Sequence, residues 1–193
     1  MRIVLASRSP RRREILGWLG VEFDVVEPAV EELSDGLEPA ELVLENARRK
    51  ARAGAGASAA GATVLGVDTE VFLDGRALGQ PGSRAEAAMR LRALSGREHE
   101  VLSGLCLALP DGSERSGVAR SAVTFTALTP ERLELYLDSQ EWLGRAGGYA
   151  IQGLGSVLIE RLEGDFSNVV GLPIGKLLEL APELLATRFP QPQ

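Results

Sequence analysis

The chain is short of the residues that build several familiar kinds of site. Its one cysteine, Cys106, excludes an intrachain disulfide and a cysteine-rich metal site. Its one histidine, His99, excludes any catalytic constellation that needs a second imidazole. Aromatic residues make up only 5% of the chain, which leaves little with which to stack on nucleic-acid bases. Positive charge is in deficit: 21 Lys and Arg against 27 Asp and Glu give a net charge of −6. That balance argues against a general nucleic-acid binder, so no nucleic-acid partner is expected. No apolar run approaches a membrane span, and the apolar start is too short for a signal peptide, so no membrane partner and a cytoplasmic home are expected. Lysine is scarce too, with Lys50 and Lys176 the only two.

What remains is ordinary globular composition, 45% hydrophobic and 25% charged over 193 residues, enough for a sizeable core. The densest local signal lies at the amino terminus, in Leu5-Ala6-Ser7-Arg8-Ser9-Pro10-Arg11-Arg12-Arg13. Met1 to Ala6 reads as a short buried strand. Ser9 suits a helix N-cap and Pro10 the first helical position, predicting a helix to about Leu19 that buries Ile15, Leu16 and Leu19 and stops at Gly20. Its first turn then carries three arginines where the helix end is already electropositive, which is unfavourable unless an anion such as phosphate sits there. On the arginines alone, a solvated basic turn explains them equally well.

Further along, Glu22 to Val26 alternates like a strand, and Glu27 to Ser34 is a loop holding Glu31-Glu32. Pro39 opens a long helix through Leu42, Val43, Ala47 and Ala51 that fades between Gly54 and Gly61, with Lys50 near its end. Ala62 to Val67 reads as a buried strand ending at Asp68-Thr69, and a carboxylate at the carboxyl end of such a strand is where open α/β sheets place ligands. A turn-capping aspartate is the plainer alternative. Asp74-Gly75 signals a hairpin. Ser83 caps a helix to about Ser95. His99 and Cys106 read as structural. Val101 to Leu109 and Val118 to Leu128 read as an antiparallel pair with Val123, Phe125 and Ala127 inward. Thr129 caps another helix. The segment from Gly144 to Gly153 is dense in glycine, which allows either close approach to a ligand or tight turns. Ser156 to Leu162 is a predicted strand, Ile174 to Leu185 a final helix, and the tail after Phe189 is expected to fray.

The order of these signals resembles the Maf family of nucleoside triphosphate pyrophosphatases, also described as septum-formation inhibitors. The motifs that carry it are Ser7-Arg8-Ser9-Pro10-Arg11-Arg12, Glu31-Glu32, Ala47 to Ala51 with Lys50, Gly66-Val67-Asp68-Thr69, Leu78-Gly79-Gln80-Pro81, Leu94-Ser95-Gly96, Ala146 to Gly153 and Val170-Gly171-Leu172-Pro173. The resemblance spans essentially all of 1–193, taken as a single domain. It implies a mixed α/β fold: an elongated mixed β-sheet with flanking helices, two lobes around a central cleft, like the inosine triphosphate pyrophosphatases. It implies hydrolysis of a nucleoside triphosphate to monophosphate and pyrophosphate with a divalent cation, Mg²⁺ or Mn²⁺. Asp68 matches the family's catalytic acid residue, written as the proton acceptor for the attacking water; Glu32 and Lys50 match other charged active-site positions. Ser7, Arg11, Lys50 and Gln80 fall where phosphates would bind, and Glu32 and Asp68 where a metal would. Whether Asp68 takes a proton or holds the metal stays open. The dTTP/UTP-cleaving subgroup shows two arginines after Ser-Pro, Asp-Thr, and Ile-Gln-Gly, and this chain matches all three, so Arg12, Thr69 and Gln152 are carried over as base-selecting residues.

The chain departs from the pattern at Gln80, where the family writes lysine. Weaker binding or slower turnover is expected unless another arginine, Arg76 or Arg84, substitutes. A homodimer is compatible with the resemblance. The rival readings are a pyrophosphatase of the same family with a different base preference, a regulatory protein that arrests division by binding a partner, and an RNA-binding protein using the arginine turn, which the net negative charge disfavours.

Overall fold

The computed structural model describes residues 2–58 and 61–185. Seven strands form one mixed sheet: β1 (Ile3–Ala6), β2 (Phe23–Val26), β3 (Thr63–Leu73), β4 (Arg76–Ala77), β5 (Glu98–Ala108), β6 (Glu114–Phe125) and β7 (Ile159–Glu163). The order is β2-β1-β3-β5-β6-β7, with β4 paired to the far end of β3. β1 runs parallel to both β2 and β3, while along β3-β5-β6-β7 each strand is antiparallel to the next. The helices are α1 (Pro10–Trp18), α2 (Pro39–Ala57), α3 (Arg84–Leu94), α4 (Pro130–Asp138), α5 (Phe166–Val170) and α6 (Ile174–Leu180). No helix among the described residues is long and apolar enough to cross a membrane.

Why α2 lies where it does is readable from its sequence. Leu42, Val43, Ala47 and Ala51 recur at helical spacing and are all buried. Beneath them the sheet offers two glycines: a Cβ on Gly66 would stand 2.2 Å from the Ala47 carbonyl oxygen, and one on Gly104 2.2 Å from that of Val43. The helix backbone therefore rests directly on β3 and β5, closer than any side chain would permit.

Two main apolar clusters occupy different parts of the sheet. One gathers α3 and α4 around Leu91, Leu94, Val123, Phe125 and Tyr136; the other gathers α1 and α6 around Leu5, Ile15, Leu65 and Leu177. His99 is buried in the first, its Nε2 and the Tyr149 hydroxyl 2.7 Å apart and its ring edge-on to Phe125. Cys106 is buried, which pushes its thiol up to about 12.

Several boundaries differ from the sequence reading, each for a physical reason. β3 does not end at Asp68: it stays paired with β5 through Phe72, so Asp68 lies in mid-strand. The segment expected as a strand from Ser156 begins as a 3₁₀ turn over Gly153–Leu158, and the strand starts only at Ile159. The final helix stops at Leu180, because Pro182 has no N–H to continue it and opens a short 3₁₀ turn instead. An unforeseen helix, α5, is capped by Asp165, whose carboxylate accepts from the Ser167 N–H at 2.7 Å. Ser9 occupies the N-cap of α1 without a side-chain capping bond; its N–H donates to Ser7 Oγ. β6 ends at Phe125, leaving Ala127 exposed, and Leu19 is only partly buried. The tail after Phe189 lies outside the described residues.

Candidate active site

The sheet has a gap along one edge. β1 stops at Ala6, opposite Gly66, and β4 does not pair with β3 until Phe72. Between those points no strand among the described residues lies beside this edge of β3, and Asp68, Thr69 and Glu70 lie in the gap. A cleft of about 810 Å³ opens there, and it is lined by Ser7, Arg11, Arg12, Glu32, Lys50, Asp68, Thr69, Gln80 and Gln152, the residues given a site role from the sequence, whereas Arg13 lies outside it, paired with Glu27. The chain leaves β1 through Ser7, α2 supplies Lys50, β3 supplies Asp68 and Thr69, and the 144–153 segment supplies Gln152.

On one wall, α2 and β3 build an acid–base cluster. Lys50 Nζ donates to Asp68 Oδ1 at 2.6 Å and stands 2.8 Å from Glu32 Oε1. The Lys50 and Asp68 side chains are each only 11% exposed. Asn46 lies one helical turn before Lys50 on the same face and donates to Asp68 Oδ2 at 3.1 Å. It also exchanges hydrogen bonds with both backbone groups of Leu33, at 2.8 and 2.9 Å, which fixes the loop that brings Glu32 to Lys50. Nothing in the sequence marked Asn46, since a single asparagine inside a helix has no periodic signature.

The opposite face centres on Arg12. Its Nε donates to the Gly171 carbonyl at 2.9 Å, Nη1 to Ser7 Oγ at 3.0 Å and Nη2 to Thr69 Oγ1 at 3.3 Å. Thr69 is held in turn by Ser103 Oγ at 2.8 Å and by the Gly171 carbonyl at 3.2 Å. Burial lowers the Arg12 pKa, and the nearby charges of Asp68 and Glu32 only partly offset this.

Charge is unevenly placed. Arg8, Arg11, Arg12, Lys50 and Arg145 line the cleft as cations against the carboxylates Glu32, Asp68 and Glu70. Elsewhere among the described residues ten arginines make ion pairs with carboxylates, yet none of the four cleft arginines does. Arg11 is held near 10, below the usual arginine range, by burial first and then by Arg145 and Arg12. Arginines without carboxylate partners around one hollow, Arg11, Arg12 and Arg145 of them partly buried, are suited to a polyanion.

Glu70 and Arg145 were not singled out by the sequence. Glu70 shares the strand face of Asp68, two residues on, and accepts from the backbone N–H groups of Val71 and Gly79 at 2.7 and 3.1 Å. Burial pushes its carboxyl up to about 7. Neither arginine suggested as a stand-in at position 80 serves: Arg76 does not line the cleft, and Arg84 is paired at the surface with Glu134 and Asp138. Behind Gln152, Glu141 accepts from Leu154 N–H and Gly155 N–H, both at 3.0 Å, and so fixes the turn that presents the amide.

No group of three or more His, Cys, Asp or Glu side chains among the described residues converges as a metal cage. Glu32 and Asp68 still fit a hard divalent cation, because such ions take one or two carboxylates and complete their shell from water and substrate phosphates.

The relatives include dTTP/UTP pyrophosphatases of Deinococcus radiodurans, 50% identical over 93% of this chain and 91% of its own, and of Moorella thermoacetica, 47% identical over 93% of each. Another, from Thermococcus onnurineus, is 45% identical over 92% of this chain and 97% of its own. A solved nucleoside-triphosphatase / dITP/XTP pyrophosphatase from Mycobacterium abscessus aligns over 98% of both chains at a TM-score of 0.48 and 19% identity. The Maf-like protein family matches residues 2–184, and the chain belongs to that family.

Proposed function

We propose that this chain hydrolyses the α–β anhydride of dTTP and UTP, releasing the nucleoside monophosphate and pyrophosphate. The observation that carries the reading is the set of unpaired cations facing Asp68 across one cleft, in a family whose close relatives bear that activity in their names. A triphosphate carries about four negative charges, and its cleavage needs chiefly alignment and charge neutralisation. Arg11, Arg12 and Lys50, with Ser7, hold the phosphates. Asp68, fixed at both oxygens by Lys50 and Asn46, still has lone pairs with which to orient the attacking water and accept its proton. A Mg²⁺ or Mn²⁺ would be held by Glu32 and Asp68, and there it would supply positive charge to offset that of the substrate phosphates.

Base choice falls to Gln152 with Arg12 and Thr69. An amide can face both the N3–H and a carbonyl of uracil or thymine at once. Arg12 and Thr69 are tied to Ser7, Ser103 and Gly171, so they act as a stiff floor beneath the nucleotide. Residence in the cytoplasm belongs to the same reading. The test is a panel of triphosphates with Mg²⁺ or Mn²⁺, assayed for pyrophosphate. UTP and dTTP are expected to head it, and Asp68→Asn to abolish release while leaving UTP bound. Undiminished release from that variant would overturn the reading.

A further inference from the structure

Two of the cleft arginines come from distant parts of the chain and meet at one end of the hollow. Arg11, on α1, donates from Nη2 to the carbonyl of Gly144 at 3.3 Å. The next residue is Arg145, which donates from Nε to the backbone carbonyl of Glu141. That bond orients the Arg145 guanidinium and leaves both its terminal nitrogens without an acceptor among the described residues. Arg11 likewise keeps Nη1 free. Both side chains are partly buried and line the cleft, and among the described residues neither has a carboxylate within ion-pair reach. Two cations brought together in this way repel one another, and the pKa of Arg11 is lowered by burial first and by the nearby charge of Arg145 second. Each offers a planar fork suited to phosphate oxygens. The carboxylates Glu32 and Asp68 lie on the α2 wall, bonded to Lys50.

We propose that Arg11 and Arg145 form a clamp for the diphosphate end of the substrate, holding the β- and γ-phosphates before cleavage and the pyrophosphate afterwards. The clamp rests on the nucleotide-cleaving reading above and divides the cleft into a leaving-group end and an Asp68 end. It also supplies cationic charge to a rim where position 80 offers only a neutral amide.

The test is calorimetric titration of the whole protein with inorganic pyrophosphate and, separately, with UMP, repeated for Arg145→Gln and for Arg11→Gln. Loss of one charge-assisted contact is expected to weaken pyrophosphate binding by roughly tenfold or more in each variant. UMP affinity is expected to change less than about twofold, because the monophosphate does not reach the clamp. The KM for UTP and the inhibition constant for pyrophosphate are expected to rise together. Equal weakening of UMP and pyrophosphate in both variants, or unchanged pyrophosphate binding, would overturn the clamp. Should the unmodified protein bind pyrophosphate through these arginines yet fail to cleave any triphosphate, the broader reading falls and the clamp stands.

Discussion

The single histidine makes one prediction unusually clean. His99 is enclosed by Phe125 and Tyr149, and burial, outweighing the Arg97 backbone, holds its imidazole down to about 4 against an ordinary value of 6.5. In the unfolded chain the ring takes a proton near pH 6.5; in the fold it does so only near pH 4. The unfolded state therefore binds more protons across that window, and stability falls as the pH drops through it. At about 1.4 kcal/mol per pH unit, the loss is about 2 kcal/mol at pH 5 and approaches about 3 kcal/mol near pH 4. For a chain of this length, 2 kcal/mol corresponds to about 4–8 °C in Tm. The assay is thermal or urea unfolding of the native protein and His99→Gln between pH 7 and 4.5. Glutamine does not titrate, so its own cost is constant, and the advantage of the native protein should shrink towards acid by the stated amount. Histidine-selective NMR reads the one ring directly. An imidazole that titrates near 6.5 in the folded protein, or two stability curves that stay parallel, would refute the reasoning.

Three further changes test the scaffold. Gly66→Ala places a methyl group 2.2 Å from the Ala47 carbonyl, so α2 must lift; a loss of at least about 3 kcal/mol is expected in urea unfolding, with activity falling as Asn46 and Lys50 leave Asp68. Gln152→Glu puts an acceptor-only group where the N3–H and carbonyl of a pyrimidine are to be matched, and should lower kcat/KM for UTP by about tenfold or more in competition with GTP. Glu141→Ala strands the N–H groups of Leu154 and Gly155, and should cost about 1–3 kcal/mol in Tm measurements while raising the KM for UTP.

The first strand, first helix and arginine turn were legible because their signals are local: apolar residues, a proline at the first helical position, a glycine past the end. Asp68 stood out beside its apolar strand, yet its setting did not, since pairing with β5 carries β3 on through Phe72. Asn46 and Glu141 escaped notice for a shared reason. Each acts on backbone groups remote in sequence, at Leu33 and at Leu154 and Gly155, and no window of neighbouring residues contains that relation. The same carboxylate made a turn of Gly153–Leu158, where composition alone suggested a strand. Pro182 was a legible stop signal inside the expected last helix and was outweighed by the leucines around it.

The slot beside Asp68 exists because two neighbouring strands fall short of each other, not because a joint swings open. An aperture framed by a hydrogen-bonded lattice keeps its width for as long as the lattice survives. On the proposed reading, a nucleotide entering it would meet a shape already cut, so little of the free energy of association would go into remodelling the enzyme, and more would be left to align the scissile anhydride.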